Sequence, residues 1–414
     1  MGKRRKKKFY VGPNLTAEHN FHIGQQLRIK IEKYESNGVG TGFYNKIPVL
    51  VFNSIIGEEI EISIEKIYPE KIIGKNLEIT KASEKRTKVV CKFFGSCTGC
   101  QWLHINYPDQ LNMKKEVVIN ELNKNHLSIN NLVKNTIPSE KKFYYRNHAR
   151  FTVREKDSGE EMGFVNFLNR EWTPINHCKI MNKTINQQMD LLRNNLADKT
   201  QVSIRGSDST NSYLIQPKFE NIEVETGQKY YEERIFDNIY QVASPSFFQV
   251  NILQVEKIFT ELFDSGVFFK NQIAVDAYCG VGTFTCLISP YVKKVYGIEE
   301  SASAVLDAKE NSKNYTNIEY LQGKTEDVLL DIDENIDLLL LDPPRVGCED
   351  NVIRIIDKIK PKNILLISCS PENFAKDIAK LVDISYEVQK IVPFDMFPQT
   401  HHVEILGLLE LNYE

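Results

Sequence analysis

The chain has 414 residues, 42% of them hydrophobic and 26% charged, with a net charge of −3. That composition belongs to globular domains, about three of them at this length, and excludes a disordered or fibrous chain. No apolar stretch approaches the roughly 18 residues of a membrane-spanning helix, and eight cysteines are too sparse here for a disulfide scaffold, so metal or catalytic thiols of a reducing, cytoplasmic compartment are expected.

The run Lys3-Arg4-Arg5-Lys6-Lys7-Lys8 concentrates positive charge in an otherwise acidic chain. It reads either as a solvated tail or as an electrostatic arm for RNA phosphates. It leads into polar sequence instead of an apolar signal-peptide core, so secretion is not expected. From Gly24 to Thr80, short runs alternate apolar and polar residues, as in Gln26-Leu27-Arg28-Ile29-Lys30-Ile31. Gly-containing turns separate them, and the pattern predicts a small antiparallel barrel.

A middle region, about residues 87–238, mixes strands and helices. Cys91, Cys97 and Cys100 follow a Cys-x5-Cys-x2-Cys spacing, and Cys178 is the remaining cysteine of this region. Closely spaced thiolates imply zinc or an iron–sulfur cluster, and spacing alone leaves the two open. From Lys141 to Arg154, five of fourteen residues are Lys or Arg, none is acidic, and Phe143, Tyr144, Tyr145 and Phe151 are interleaved. Single-stranded RNA asks for this combination of cations for phosphates and rings for bases, although an ordinary exposed strand shares it.

After Ala243, strands alternate with amphipathic helices, the pattern of an α/β doubly wound, mainly parallel sheet. Ile273-Ala274-Val275 enters the turn Tyr278-Cys279-Gly280-Val281-Gly282. The glycines permit close backbone approach to a ligand, while the missing third glycine disfavours a dinucleotide. The next strand ends at Glu299, a candidate acceptor for ribose hydroxyls. A fourth strand, Ile336 to Leu341, ends in Asp342-Pro343-Pro344-Arg345, where a rigid turn presents the Asp342 carboxylate. Amino-methylating enzymes of this fold close such a turn with an aromatic residue, and Arg345 departs from that.

Ile364-Leu365-Leu366-Ile367 then leads into Ser368-Cys369-Ser370-Pro371. Ser370 as N-cap and Pro371 at the first helical position aim the Cys369 thiol at the carboxyl edge of the sheet. The helix N-terminus is expected to lower the thiol pKa. Bland alternatives stand beside each assignment. Cys369 could be inert core, Gln249 could complete a capping box with Ser246, Asp342 could cap the next helix, and Glu404 could be a strand-end surface carboxylate.

Five motifs occur in order: Ser246-Phe247-Phe248-Gln249-Val250-Asn251, the glycine turn, Asp342-Pro343-Pro344-Arg345, Ser368-Cys369-Ser370-Pro371, and Phe397-Pro398-Gln399-Thr400-His401-His402-Val403-Glu404. Together they resemble the class I uracil-5 RNA methyltransferase family from about residue 24 onward. The resemblance implies a basic arm (1–20), an OB-like barrel similar to the TRAM module (21–82), a central α+β iron–sulfur domain (83–240) and a Rossmann-like methyltransferase domain (241–414). It implies S-adenosylmethionine contacted by Gln249, Tyr278, Glu299 and Asp342, with Cys369 as nucleophile and Glu404 as proton acceptor.

It further implies a 4Fe-4S cluster on Cys91, Cys97, Cys100 and Cys178, in a structural or RNA-positioning role. Thr98, and Thr283 where many relatives carry Asn, depart from the family pattern. Carbon 5 of uracil is a poor nucleophile, so such chemistry needs thiolate addition at carbon 6 and a base for the carbon 5 proton. The target uridine must leave its stack, which points to a loop or bulge. Within that family, the barrel and cysteines together make the resemblance imply 23S ribosomal RNA as substrate, and no obligate protein partner is expected. The alternatives are a tRNA uridine, cytosine-5 methylation, and a non-catalytic RNA-binding redox sensor.

Overall fold

The computed structural model describes residues 12–413 apart from 157, 158, 194, 197, 198 and 221, so the Lys3 to Lys8 run lies outside the described residues. The chain forms two compact units: residues 1–110, 164–174 and 399–401, and residues 111–163, 175–398 and 402–414.

The first part of the chain gives strands β1 (Gln26–Tyr34), β2 (Gly40–Tyr44), β3 (Ile47–Val51), β4 (Glu59–Tyr68) and β5 (Lys71–Lys81), which close into a barrel in the order β1-β2-β3-β5-β4. Period-two alternation sends Leu27, Ile29 and Ile31 inward to meet Val49, Val51, Ile60, Ile62, Ile64 and Ile72. The barrel is not wholly antiparallel, because β3 and β5 pair in parallel. β4 lies between them in sequence and pairs antiparallel with both β1 and β5, so two reversals return β5 to the direction of β3.

Next in chain order come α1 (Tyr107–Lys124), β6 (His148–Lys156), β7 (Gly159–Val165), β8 (Trp172–Pro174), α2 (Lys183–Leu192), β9 (Gln201–Gly206) and β10 (Tyr213–Gln216). β10, β9, β6 and β7 are antiparallel neighbours in that order. A hairpin of β11 (Tyr230–Ile235) and β12 (Asn238–Ala243) follows.

The rest is α3 (Ile252–Asp264), β13 (Ile273–Ala277), α4 (Thr283–Ile288), β14 (Lys294–Glu299), α5 (Ala302–Asn311), β15 (Ile318–Gln322), α6 (Thr325–Val328), β16 (Leu338–Leu341), α7 (Asp350–Ile359), β17 (Asn363–Ser368), α8 (Pro371–Asp383), β18 (Tyr386–Phe394) and β19 (Glu404–Leu411). Their seven strands form one sheet, β15-β14-β13-β16-β17-β19-β18. The first five are parallel, and β19 inserts antiparallel between β17 and β18. Leu339, Leu341, Ile364 and Leu366 pack on one face with α7 and α8, while Leu338, Leu340, Leu365 and Ile367 pack on the other with α3 and α4. Burial on both faces explains why these strands read as unbroken apolar runs. The chain reverses direction of winding beside β13 and β16, so the carboxyl ends of those strands bound a crevice suited to a ligand.

Candidate active site

The turn after β13 opens with Tyr278, which adopts a left-handed φ of 66° although it is not glycine. Its phenol hydrogen-bonds with Thr325 at the start of α6, and burial raises its pKa. Gly280 also has a positive φ, and a side chain added there would meet nothing within 4 Å. That open space lies beside Glu299, at the end of β14. One Glu299 oxygen accepts from the Gly280 N–H (3.1 Å) and the other from the Ser301 N–H (2.7 Å). A carboxylate retains further lone pairs after two such bonds, so Glu299 keeps capacity for hydroxyl donors.

Gln249 is half-buried, and its side-chain amide donates to Asp342 across 3.5 Å. No capping box forms: Ser246 gives its hydroxyl proton to Asp307 (2.6 Å), and the helix that follows begins only at Ile252. Asp342 likewise does not cap the next helix, which starts at Asp350. The segment bearing Gln249 is held from below. Asn147 donates its amide to the Gln249 carbonyl (3.0 Å), Arg205 donates to the Ser246 carbonyl (2.6 Å), and Asp307 also accepts the Ala243 N–H (2.8 Å). Sequence reasoning missed these three supports, because nothing local links them to Gln249.

β17 ends at Ser368, and α8 begins at Pro371 with Ser370 accepting from the Asn373 N–H, as the sequence predicts. Ser368 pairs with Ile405 in the antiparallel register of β17 and β19. The next step of that register sets Cys369 opposite Glu404. Glu404 is only 3% exposed, which excludes the surface-carboxylate alternative. Burial, with the Asp342 charge adding to it and Arg345 opposing, raises its pKa well above the ordinary range.

The Cys369 thiol is also pushed up, contrary to the low value expected at a helix N-terminus. Burial is the largest cause and Glu404 and Asp342 add to it, outweighing the Arg345 guanidinium, which hydrogen-bonds the thiol. Asp342 itself is raised to about 7 by burial and by Asp276. Asp276, which accepts the Thr285 hydroxyl (2.5 Å), is raised to about 7 by burial and, more weakly, by Glu299. The Arg345 guanidinium thus acts on both the Cys369 thiol and the Glu404 carboxyl. Its place beside Cys369 was invisible in sequence, where Arg345 registered only as the absence of an aromatic residue.

Cys91, Cys97 and Cys100 are half-buried and lie in the first unit, on a loop where the Cys97 N–H donates to the Phe93 carbonyl (2.7 Å). Cys178 is in the second unit, where Asn186 accepts its N–H and donates to its carbonyl. Among the described residues, no group of three or more His, Cys, Asp or Glu is arranged to hold a metal ion. Among the same residues, no helix is long and apolar enough to cross a membrane.

The Lys141 to Arg154 segment divides by burial. Tyr145 and Phe151 are core residues at 6% and 0% exposure, so they do not present rings to a base. Arg150 and Arg154 remain exposed on β6. His148, at the start of the same strand, is pushed down to about 3 by burial and by Arg205, Arg146 and Arg150, so it is neutral while the arginines carry the charge.

Residues 221–412 match the family model described as tRNA (uracil-5-)-methyltransferase. That part of the chain is thus similar to uracil-5 RNA methyltransferases. A protein of Clostridium acetobutylicum described as an uncharacterized RNA methyltransferase is 28% identical, over 92% of this chain and 96% of its own. Another so described, from Listeria monocytogenes, is 29% identical over 94% and 98%. In structure, the fold is shared with the tRNA (uracil-54, C5)-methyltransferase of Pyrococcus abyssi, solved with S-adenosyl-L-homocysteine. The TM-score is 0.74 at 23% identity, covering 92% of this chain and 99% of that one.

Proposed function

We propose that this protein methylates carbon 5 of one uridine in RNA through a covalent adduct on Cys369. The observation that carries the reading is the register of β17 and β19, whose last pair, Ser368 with Ile405, leaves Cys369 and the buried Glu404 as neighbours that act on each other electrostatically. Asp342, Gln249, Glu299 and Tyr278 line the neighbouring strand ends, where the open space at Gly280 and the spare acceptor capacity of Glu299 fit an adenosyl ribose. S-adenosylmethionine held there would supply a methyl group on a positively charged sulfur.

Cys369 Sγ, as thiolate, bonds to carbon 6 and drives electron density to carbon 5, which takes the methyl carbon as its bond to sulfur breaks. Glu404 then removes the carbon 5 proton, and the released pair re-forms the ring double bond and expels Sγ. While Cys369 is ionised it repels an ionised Glu404. Once Sγ is bonded to carbon 6 that charge is gone, so the carboxylate is favoured in the step that needs it.

The RNA proposed is 23S ribosomal RNA, on the combination of the N-terminal barrel, read as a TRAM-like RNA-binding module, with the four cysteines. A tRNA substrate is the competing reading, since the matched family and the P. abyssi protein are both named for tRNA. The iron–sulfur centre on Cys91, Cys97, Cys100 and Cys178 rests on the family resemblance and is tested by iron and sulfide content after anaerobic purification. Cytoplasmic action accords with reduced thiols and an RNA substrate.

The deciding experiment incubates anaerobically purified protein with methyl-labelled S-adenosylmethionine and unmodified 23S ribosomal RNA or tRNA, and reads nucleosides by mass spectrometry. Labelled 5-methyluridine that disappears in Cys369→Ala is expected, and the responding RNA identifies the substrate. Label in 5-methylcytidine would move the reaction to cytosine. RNA binding with no transfer to either RNA would favour the non-catalytic binding protein.

A further inference from the structure

We propose that Asn373 and Asp377, on successive turns of α8, are positioning residues that hold Arg345 against the Cys369 thiol. The inference rests on Cys369 being the nucleophile, and it adds the device that makes its thiolate accessible in a site crowded with carboxyl groups.

Arg345 occupies a tight turn, closed by the Gly347 N–H donating to the Pro344 carbonyl (2.8 Å). Such a turn does not fix where its tip points. α8 does so at two places. The Asn373 amide nitrogen donates to the Arg345 carbonyl (2.6 Å) and also lies 3.3 Å from Ser370 Oγ, the N-cap beside Cys369. One side chain therefore joins the turn that bears the guanidinium to the loop that bears the thiol. One helical turn later, Asp377 accepts the Cys348 N–H (2.9 Å). It is packed so closely that a side chain on Gly347 would come within 2.7 Å of its carboxylate, and Gly347 has a φ of +84°. These two contacts anchor the turn on both sides of Val346, which is itself 71% exposed and anchors nothing.

The chemical need for such an anchor is visible in the charges. Burial and the neighbouring Glu404 and Asp342 oppose ionisation of Cys369, and Arg345 is the cation that opposes them. A guanidinium is fully effective only at close range, because an exposed arginine free to swing away is screened by solvent. Arg345 is exposed, so its effect depends on how firmly its backbone is held.

The test measures thiol ionisation directly, without RNA or cofactor, so it fails or succeeds independently of methyl transfer. The rate at which iodoacetamide alkylates Cys369 is followed from pH 6 to 10 by mass spectrometry of the peptide carrying it, which separates it from the other cysteines. Arg345→Gln is expected to move the ionisation midpoint up by about one unit, slowing alkylation below the midpoint roughly tenfold. Arg345→Lys is expected to keep most of the wild-type behaviour. Asn373→Ala is expected to move the midpoint in the same direction by less, and to add nothing when Arg345→Gln is already present, since it acts through that residue. The proposal is overturned if Arg345→Gln leaves the midpoint in place, or if Asn373→Ala shifts it equally with and without Arg345. Asn373→Ser, which keeps a shorter polar group, is the second variant should the alanine protein fold poorly, and an unshifted midpoint there counts equally against the proposal.

Discussion

Lys114 on α1 and Asp395, just after β18, form an ion pair in which both side chains are fully buried. The Lys114 amine also donates to the Phe397 carbonyl (3.2 Å), so it ties helix α1 to the segment that leaves β18. Lys114→Met replaces the amine by a thioether of similar length. It removes the cation from beside a buried carboxylate and a buried carbonyl. Removing one member of a buried pair typically costs about 3–5 kcal/mol, because the remaining charge has lost its solvation without a partner. Replacing both, as Lys114→Met with Asp395→Leu, removes the orphaned charge and is expected to cost less than half as much. Urea unfolding read by hydrogen exchange of peptides from α1 and from residues 395–398 follows the event. If Lys114→Met lies within 1 kcal/mol of wild type, or the double variant is as damaged as the single, the pair does not act as a buried ion pair and the reasoning is wrong.

Glu404→Gln should allow addition of Cys369 but not removal of the carbon 5 proton, so a protein–RNA species surviving denaturing electrophoresis is expected to accumulate; its absence removes Glu404 as the base. Because Cys369 and Glu404 act deprotonated and both are raised, the single-turnover rate should climb between pH 6 and 9, and a flat or falling profile contradicts the assignment. Glu299→Gln should weaken S-adenosylhomocysteine binding roughly tenfold in calorimetry, the worth of a charge-assisted hydrogen bond, with unchanged affinity excluding a ribose contact. Asp276 has a folded-state pKa of about 7, above the roughly 4 of an unfolded carboxyl. Its contribution to stability is present below the unfolded value and lost as pH rises through the folded one. Asp276→Asn should therefore lose less melting temperature than wild type between pH 5 and 8, and parallel losses would place the ionised form in the folded protein.

Local sequence determined much of this protein. Alternation in Gln26–Ile31 and Glu59–Ile64 specified barrel strands, because inward and outward residues of a strand must differ when only one face is buried. Unbroken apolar runs such as Leu338–Leu341 and Ile364–Ile367 marked strands covered on both sides. Ser370-Pro371 marked a helix start, because an N-cap acceptor and a missing N–H suit the unpaired first turn. Only the tertiary structure decided what required distant residues to meet. The parallel pairing of β3 with β5, the core burial of Tyr145 and Phe151, and the placing of Cys369 opposite Glu404 depend on strand order, which no local pattern encodes. The thiol pKa likewise inverted its local expectation. A helix end is a short-range feature legible in four residues, whereas the burial and the carboxylates that raise the thiol arrive from β16 and β19, brought to one edge by the winding of the sheet.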